Sequence, residues 1–239
     1  LFLKEYDKGL AYLERALILD KENPNNYINL INYSSALKRY EIAISYTCEL
    51  LEKFPDIPQK VPLVKNLGLL YFEMTDYEKS IRYFNEVLAI NPNDNGVTLT
   101  LGFVYLEKGD SENALECFKK LPENDPNTNL GLAAYWTKKK DFSKAVVTLR
   151  KSKRLNVEKS AFNYYFGDYL FERGKYLPAE KFILSSLAIN PQNHYALYRL
   201  GLVYKAIDRH AEAEDNFKKA KEINPYRYEN LVEVGNNDE

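Results

Sequence analysis

Leu67-Gly68-Leu69-Leu70-Tyr71 and Leu101-Gly102-Phe103-Val104-Tyr105 are two versions of one phrase, set 34 residues apart. Val64, Leu67, Gly68, Tyr71, Ser80, Phe84 and Pro92 are answered at that interval by Thr98, Leu101, Gly102, Tyr105, Ala114, Phe118 and Pro126. The first four positions of each set fall at i, i+3, i+4 and i+7, one face of an α-helix. The next two are four apart on a second helix. Small residues at Gly68, Gly102, Ser80 and Ala114 let the paired helices approach closely. Thr75-Asp76 and Gly109-Asp110 supply turn chemistry between them. Asn91-Pro92 and Asp125-Pro126 read as stops for the second helix, because the residue before a proline avoids the α region. A fixed period of this size predicts an all-α array in which each helix pair packs only on its neighbours.

Outward from this stretch the period extends over the chain. Phe166-Gly167, Ala179, Ile183 and Pro191 are repeated by Leu200-Gly201, Ala213, Phe217 and Pro225. The expected units are 24–57, 61–94, 95–128, 129–159, 160–193 and 194–227 of a single array. Residues 1–20 read as the second helix of a truncated repeat, since Tyr6, Gly9, Leu13 and Ala16 have the offsets of Tyr77, Ser80, Phe84 and Val87. That match predicts a longer parent protein. Residues 228–239, with Leu231, Val234 and Gly235, read as a capping or truncated helix. The second unit is degraded at its centre, with Ile31 and Ser34 in the Gly and Tyr places. The fifth is out of register: Leu132, Ala133, Trp136, Ala145 and Leu149 fit after a three-residue deletion following Pro126. A first helix shortened by nearly a turn, and a kink in the array, are expected there.

Composition narrows the function classes. With 33 Lys+Arg against 34 Asp+Glu, the net charge of -1 removes the simplest electrostatic case for nucleic acid or anionic membrane. No apolar run reaches the roughly 18 residues of a membrane span. The chain reads as soluble with no membrane insertion, favouring the cytoplasm and leaving open an extracytoplasmic location after removal of a signal. Tyrosine is abundant, at 20 residues, and its apolar ring with a polar tip suits half-exposed groove positions. Cys48 and Cys117 have neither disulfide-framework nor metal-site spacing, and both are expected to be buried small hydrophobes. His194 and His210 have no metal-binding spacing, and no phosphate loop, carboxylate pair or nucleophile–histidine signature occurs. No cofactor, no metal and no enzymatic activity are expected. Asn32-Tyr33-Ser34 has the form of a glycosylation sequon but falls within a predicted helix.

Leu-Gly-x-x-Tyr, then Ala or Ser-x-x-x-Phe, then Pro, resembles the tetratricopeptide repeat. The strongest matches begin at Leu67-Gly68, Leu101-Gly102 and Leu200-Gly201, and the resemblance covers essentially the whole chain. It implies a right-handed α-solenoid superhelix of antiparallel helix pairs, first helices lining the concave face and second helices the convex one. It implies a scaffold that holds peptides or partner proteins. The family's two-carboxylate clamp does not carry over. Lys65 is present, but Leu69 and Thr100 stand in the Asn places and Asn127 and Gly131 in the last two. Begun at the fifth unit, the clamp meets Leu130, Ala134 and Tyr165, leaving Arg199 isolated.

By the same resemblance the groove-facing set is Lys65, Asn66, Leu69, Phe72, Thr100, Phe103, Leu106, Tyr164, Tyr165, Asp168, Phe171, Tyr195, Tyr198, Arg199 and Lys205. These fit either an apolar, aromatic groove for an extended peptide or amphipathic helix, or packing of one first helix on the next. Lys138, Lys139, Lys140, Lys144, Arg150, Lys151, Lys153, Arg154 and Lys159 fit either a solvated outer face or a docking surface for an acidic partner. The expected function is a non-catalytic protein–protein interaction scaffold. The alternatives are a structural array that self-associates into homo-oligomers through its repeat ends, and an RNA-binding helical repeat, which the charge and the period disfavour.

Overall fold

Every turn within a helix pair depends on one residue with left-handed backbone. These are Lys38 (φ 59°), Thr75 (61°), Gly109 (93°), Lys140 (60°), Gly174 (70°) and Asp208 (59°). A single left-handed residue reverses the chain and lets the next helix begin two residues later. In three of these turns the next residue is an aspartate that caps the second helix. Asp76 accepts from the Lys79 amide at 3.2 Å, Asp110 from Asn113 at 3.2 Å, and Asp141 from Lys144 at 3.1 Å.

The computed structural model describes residues 2–229, with side chains from residue 7 onward. Among these residues there are fourteen α-helices. They are α1 (Phe2–Leu19), α2 (Pro24–Ala36), α3 (Tyr40–Lys53), α4 (Lys60–Glu73), α5 (Tyr77–Ile90), α6 (Asn95–Lys108) and α7 (Ser111–Lys120). Then follow α8 (Pro126–Lys138), α9 (Phe142–Arg154), α10 (Lys159–Glu172), α11 (Tyr176–Leu187), α12 (His194–Ala206), α13 (His210–Ile223) and the one-turn α14 (Pro225–Tyr228). The expected restart at Leu231 and most of the expected cap over 228–239 lie outside the described residues. The helices form two compact units that divide between Pro92 and Asn93.

In the first unit, α2 with α3 and α4 with α5 form antiparallel pairs, and α1 packs on α2. Leu10, Leu17, Tyr27, Leu30, Ile31 and Leu50 form a buried core there. In the second unit, α6/α7, α8/α9, α10/α11 and α12/α13 are the pairs, and first helices α6, α8, α10 and α12 pack on one another in order. The small residues act as the sequence predicts. A Cβ on Gly68 would lie 2.7 Å from the Phe84 ring, and one on Gly102 would lie 2.5 Å from Phe118. Hydroxyls on second helices bond to carbonyls on first helices: Ser80 to Gly68 at 2.8 Å, Ser152 to Pro126 at 2.7 Å, Ser186 to Ser160 at 2.9 Å.

The irregularity of the fourth and fifth pairs has a different location from the expected one. The fifth pair's first helix, α8, has 13 residues, close to the 14 of α6; the short helix is α7, with 10. Leu121 precedes Pro122 and is extended (φ −85°, ψ 156°), which ends α7 about a turn early. Pro126 does not stop a helix. It opens α8, with Asp125 as its cap, accepting from the Asn127 and Thr128 amides at 2.6 and 2.9 Å. The boundary between these pairs therefore falls three residues earlier than the period places it.

Candidate functional site

Helix α6 sets the geometry of the second unit's inner face. Phe103 on α6 stacks on Tyr165 of α10, ring centroids 5.7 Å apart and planes 17° apart. A helix pair lies between these elements in the chain. Glu107, one turn beyond Phe103, reaches Arg227 of α14, Oε2 to Nη1 3.5 Å. Side chains so far apart in order can meet only if the first helices line a concave surface. Leu121, just past the end of α7, is buried in one core with Phe118 of α7 and Tyr135 of α8.

Aromatic rings make up much of this surface. Tyr164 meets Tyr165 edge to face at 5.0 Å, and Phe103 also meets the buried Phe118 at 5.4 Å. Tyr198 stacks on Tyr228 at 4.9 Å, and Phe171 lies against Tyr176 at 5.6 Å. Burial raises the phenols of Tyr164 and Tyr165, with Asp168 and Tyr164 respectively adding next. Part of the predicted aromatic set is therefore engaged with other rings of the same unit.

A charged cluster lies among the rings. Arg199 Nη2 stands 2.6 Å from Asp168 Oδ1, and its Nη1 donates to Glu172 Oε1 at 3.1 Å. The Asp168 contact is off the direction of a good hydrogen bond, so its attraction is chiefly Coulombic. Burial raises the Asp168 carboxyl above the usual carboxylate range; Arg199 opposes this, Glu172 and Glu107 reinforce it, and Lys138 opposes it. Burial works against the Arg199 charge, but Asp168, Tyr164 and Glu172 raise its pKa. The guanidinium also lies 4.9 Å from the Phe171 ring centroid.

The structure therefore gathers Phe103, Tyr164, Tyr165, Asp168, Phe171, Tyr195, Tyr198 and Arg199 in one unit. Lys65, Asn66, Leu69 and Phe72 belong to α4 of the other unit, where Leu69 is exposed and Phe72 lies 6.2 Å from Tyr77. Thr100 bonds back to Gly96 O at 2.9 Å on its own helix, and Lys205 is exposed in the last turn of α12. Leu106 faces inward rather than into the groove: it is buried with Ala114, Phe118, Leu121 and Tyr135. Glu107, Glu172, Arg227 and Tyr228 were not predicted. Glu107 and Glu172 stand one turn beyond Phe103 and Asp168, a spacing that places them on the same faces.

The basic cluster divides. Lys138 leaves it, donating from Nζ to Leu106 O at 2.5 Å. Lys144 pairs with Asp141 at 2.9 Å and lies 4.2 Å from the Trp136 centroid; Lys151 is 3.8 Å from Glu123. Lys139, Lys140, Arg150, Lys153, Arg154 and Lys159 are exposed. Cys117 is buried as expected, but Cys48 is exposed, because its position on α3 lies beside core-facing Thr47 rather than on that stripe. Both are free thiols. His194 is buried at the start of α12, its Nδ1 2.9 Å from Tyr228 Oη; His210 begins α13 and is exposed. No described helix is long and apolar enough to cross a membrane, and no described group of His, Cys, Asp or Glu is arranged to hold a metal ion.

Sequence profiles of the tetratricopeptide repeat match residues 71–140 and 194–227. The chain is 25% identical over 216 residues to anaphase-promoting complex subunit 3 of Schizosaccharomyces pombe, covering 86% of this chain and 32% of that protein. It thus spans about a third of the length of that relative. A tetratricopeptide repeat protein of Parabacteroides merdae superposes with TM-score 0.71 at 20% identity, over 95% of this chain and 93% of the other. The structure of the APC/C hetero-tetramer Cut9–Hcn1 gives 0.60 at 15% identity, over 91% of this chain and 43% of that one. Repeat profiles in both units, the period and the helix pairs agree: the chain belongs to the tetratricopeptide repeat family.

Proposed function

We propose that this chain is a non-catalytic protein–protein interaction scaffold. It holds a peptide or helical segment of a partner protein on the concave first-helix face of the second unit. The observation that carries this reading is the stack of Phe103 on Tyr165, which joins α6 to α10. Asp168 and Arg199 beside that stack supply polar groups that orient a segment held by apolar anchors. Further support comes from the relatives, one named as a subunit of a complex and another solved as a hetero-tetramer. A near-neutral charge argues against nucleic acid as the ligand.

The test is capture of a partner by the wild-type chain, by Phe103→Ala/Tyr165→Ala and by the outer-face control Lys139→Ala/Lys140→Ala. Helicity is checked by circular dichroism for each. Loss with the inner-face variant and retention with the control is expected. Equal capture by all three would refute the inner-face assignment. A second reading, self-association through the repeat ends, draws on Tyr12, Ile18 and Leu19 of α1, which are 72%, 70% and 79% exposed. Sedimentation velocity over a wide concentration range decides it: a species that stays monomeric removes that reading.

A further inference from the structure

On the outer side of the second unit, second helices α9 and α11 flank α10, and the floor between them is aromatic. Val146 of α9, Phe166 of α10 and Phe182 of α11 pack on one core. Phe162 stacks on Phe166, centroids 5.5 Å apart, and Phe166 meets Phe182 at 4.6 Å. Phe166 and Phe182 are half-buried, so the floor is open to contact. Four and seven residues beyond Val146, on the same face of α9, stand Arg150 and Lys153, both exposed. Lys153 Nζ lies 5.5 Å from the Phe162 ring centroid. At the other end, the Arg173 guanidinium lies 5.9 Å from the Phe142 centroid and donates to Tyr169 Oη at 3.0 Å. Ile189, seven residues beyond Phe182, is 49% exposed.

The carboxylates near this groove are directed elsewhere. Helix α9 carries five cations and no Asp or Glu. Its Lys144 and Lys151 meet Asp141 and Glu123, on the side of the preceding helix pair. Glu180, the one acid of α11, is turned to the following pair, where Arg209 Nη1 stands 2.8 Å away. Asp168 and Glu172 of α10 face Arg199 on the inner side. Glu158, at the mouth, accepts from the Ser160 and Ala161 amides at 2.7 and 2.6 Å. A cleft with apolar walls and one sign of charge focuses its field on ligands of the opposite sign.

We propose that the α9–α11 groove is a second binding surface, separate from the inner face, that takes an acidic segment of a partner protein. Carboxylates of the segment meet Arg150, Lys153 and Arg173, and an apolar side chain between them rests on Phe182 and Ile189. Charge complementarity selects an acidic occupant, and the rings select a peptide over a nucleic acid. Base stacking needs an open ring face. Here Phe162 covers one face of Phe166, and Phe182 lies against the same ring.

The test measures fluorescence anisotropy of a labelled peptide of glutamates around one phenylalanine, and of its counterpart with glutamines. Proteins are the wild-type chain, Arg150→Gln/Lys153→Gln, Ile189→Ser, and Lys139→Gln/Lys140→Gln, which removes the same charge outside the groove. The groove variant should bind the glutamate peptide roughly five- to tenfold more weakly, as two exposed charge pairs allow, and the control less than about twofold. Ile189→Ser should also weaken binding, with helicity unchanged by circular dichroism, and the glutamine peptide should bind wild type more weakly. Equal losses in the two double variants would mean diffuse attraction and overturn the proposal, as would equal affinity for the two peptides. Loss with Phe103→Ala but not with Arg150→Gln/Lys153→Gln would move the peptide to the inner face and overturn it too. A single-stranded DNA oligonucleotide that binds more tightly and responds to the same variants would replace the peptide as occupant. Self-association of the wild type in sedimentation velocity, lost in Arg150→Gln/Lys153→Gln, would make the occupant a second copy instead.

Discussion

Replacing Arg199 with methionine tests the buried ion pair at the centre of the inner face. Methionine keeps an unbranched stem and removes the charge. Asp168 would then keep Glu172 and Glu107 as neighbours of like sign, with Lys138 the opposing cation already named. Breaking a buried pair by deleting one partner costs about 3–5 kcal/mol, because the other charge stays buried. Arg199 and Asp168 are 22% and 15% exposed, so solvent screens part of this, and the low end, about 3 kcal/mol, applies near neutral pH. The pH dependence follows from Asp168, whose carboxyl is raised chiefly by burial. A raised folded-state value means that stability is intact below the carboxyl's unfolded value and is lost as pH rises through the folded one. Removing Arg199 raises that value further, so the deficit of Arg199→Met should be smallest in acid and grow as pH rises. Asp168→Asn/Arg199→Met should recover to within about 1 kcal/mol of wild type, since the stranded charge is gone. Urea unfolding followed by Trp136 fluorescence reports on this unit, because Trp136 is the only tryptophan and lies on α8. A loss below about 0.5 kcal/mol at neutral pH, or one that does not shrink on acidification, refutes the assignment.

Three other perturbations probe the scaffold. Gly102→Ala gains about 1 kcal/mol of helix propensity but drives a Cβ to 2.5 Å from the Phe118 ring, already wedged against Gly131; overpacking of about 1–3 kcal/mol should win, and Phe118→Leu should relieve it in the double variant by urea titration. Thr75→Gly should stabilise the first unit by about 0.5–1 kcal/mol, because a β-branched residue at φ 61° is strained; thermal unfolding by circular dichroism checks the sign. An uncharged thiol reagent under native conditions should modify Cys48 first, while Cys117, whose thiol burial pushes up to about 11, reacts only on unfolding; equal rates would contradict the burial assignment.

Much of the scaffold was legible in local chemistry. Asp76, Asp110 and Asp141 follow left-handed turn residues and cap the next helix, a link of a few residues that spacing exposes. Gly68 and Gly102 sit against Phe84 and Phe118 because the repeated small–large pairing is local to one helix pair. Pro126 is ambiguous in sequence because a proline after Asp suits both the end of one helix and the first position of the next. The preceding Leu121-Pro122 was the informative signal. In sequence Lys138 groups with Lys139 and Lys140, yet one residue along a helix turns a side chain by about 100°, and Lys138 bonds to Leu106 O.

By itself the sequence determined the all-α class, the pairing of helices and the turns between them, because repeat packing is governed by neighbours close in the chain. Tertiary structure decided what the inner face contains. The meetings of Phe103 with Tyr165 and of Glu107 with Arg227 join residues 62 and 120 positions apart. No periodicity specifies such contacts, for they depend on how several successive helix pairs stack, which local spacing does not fix.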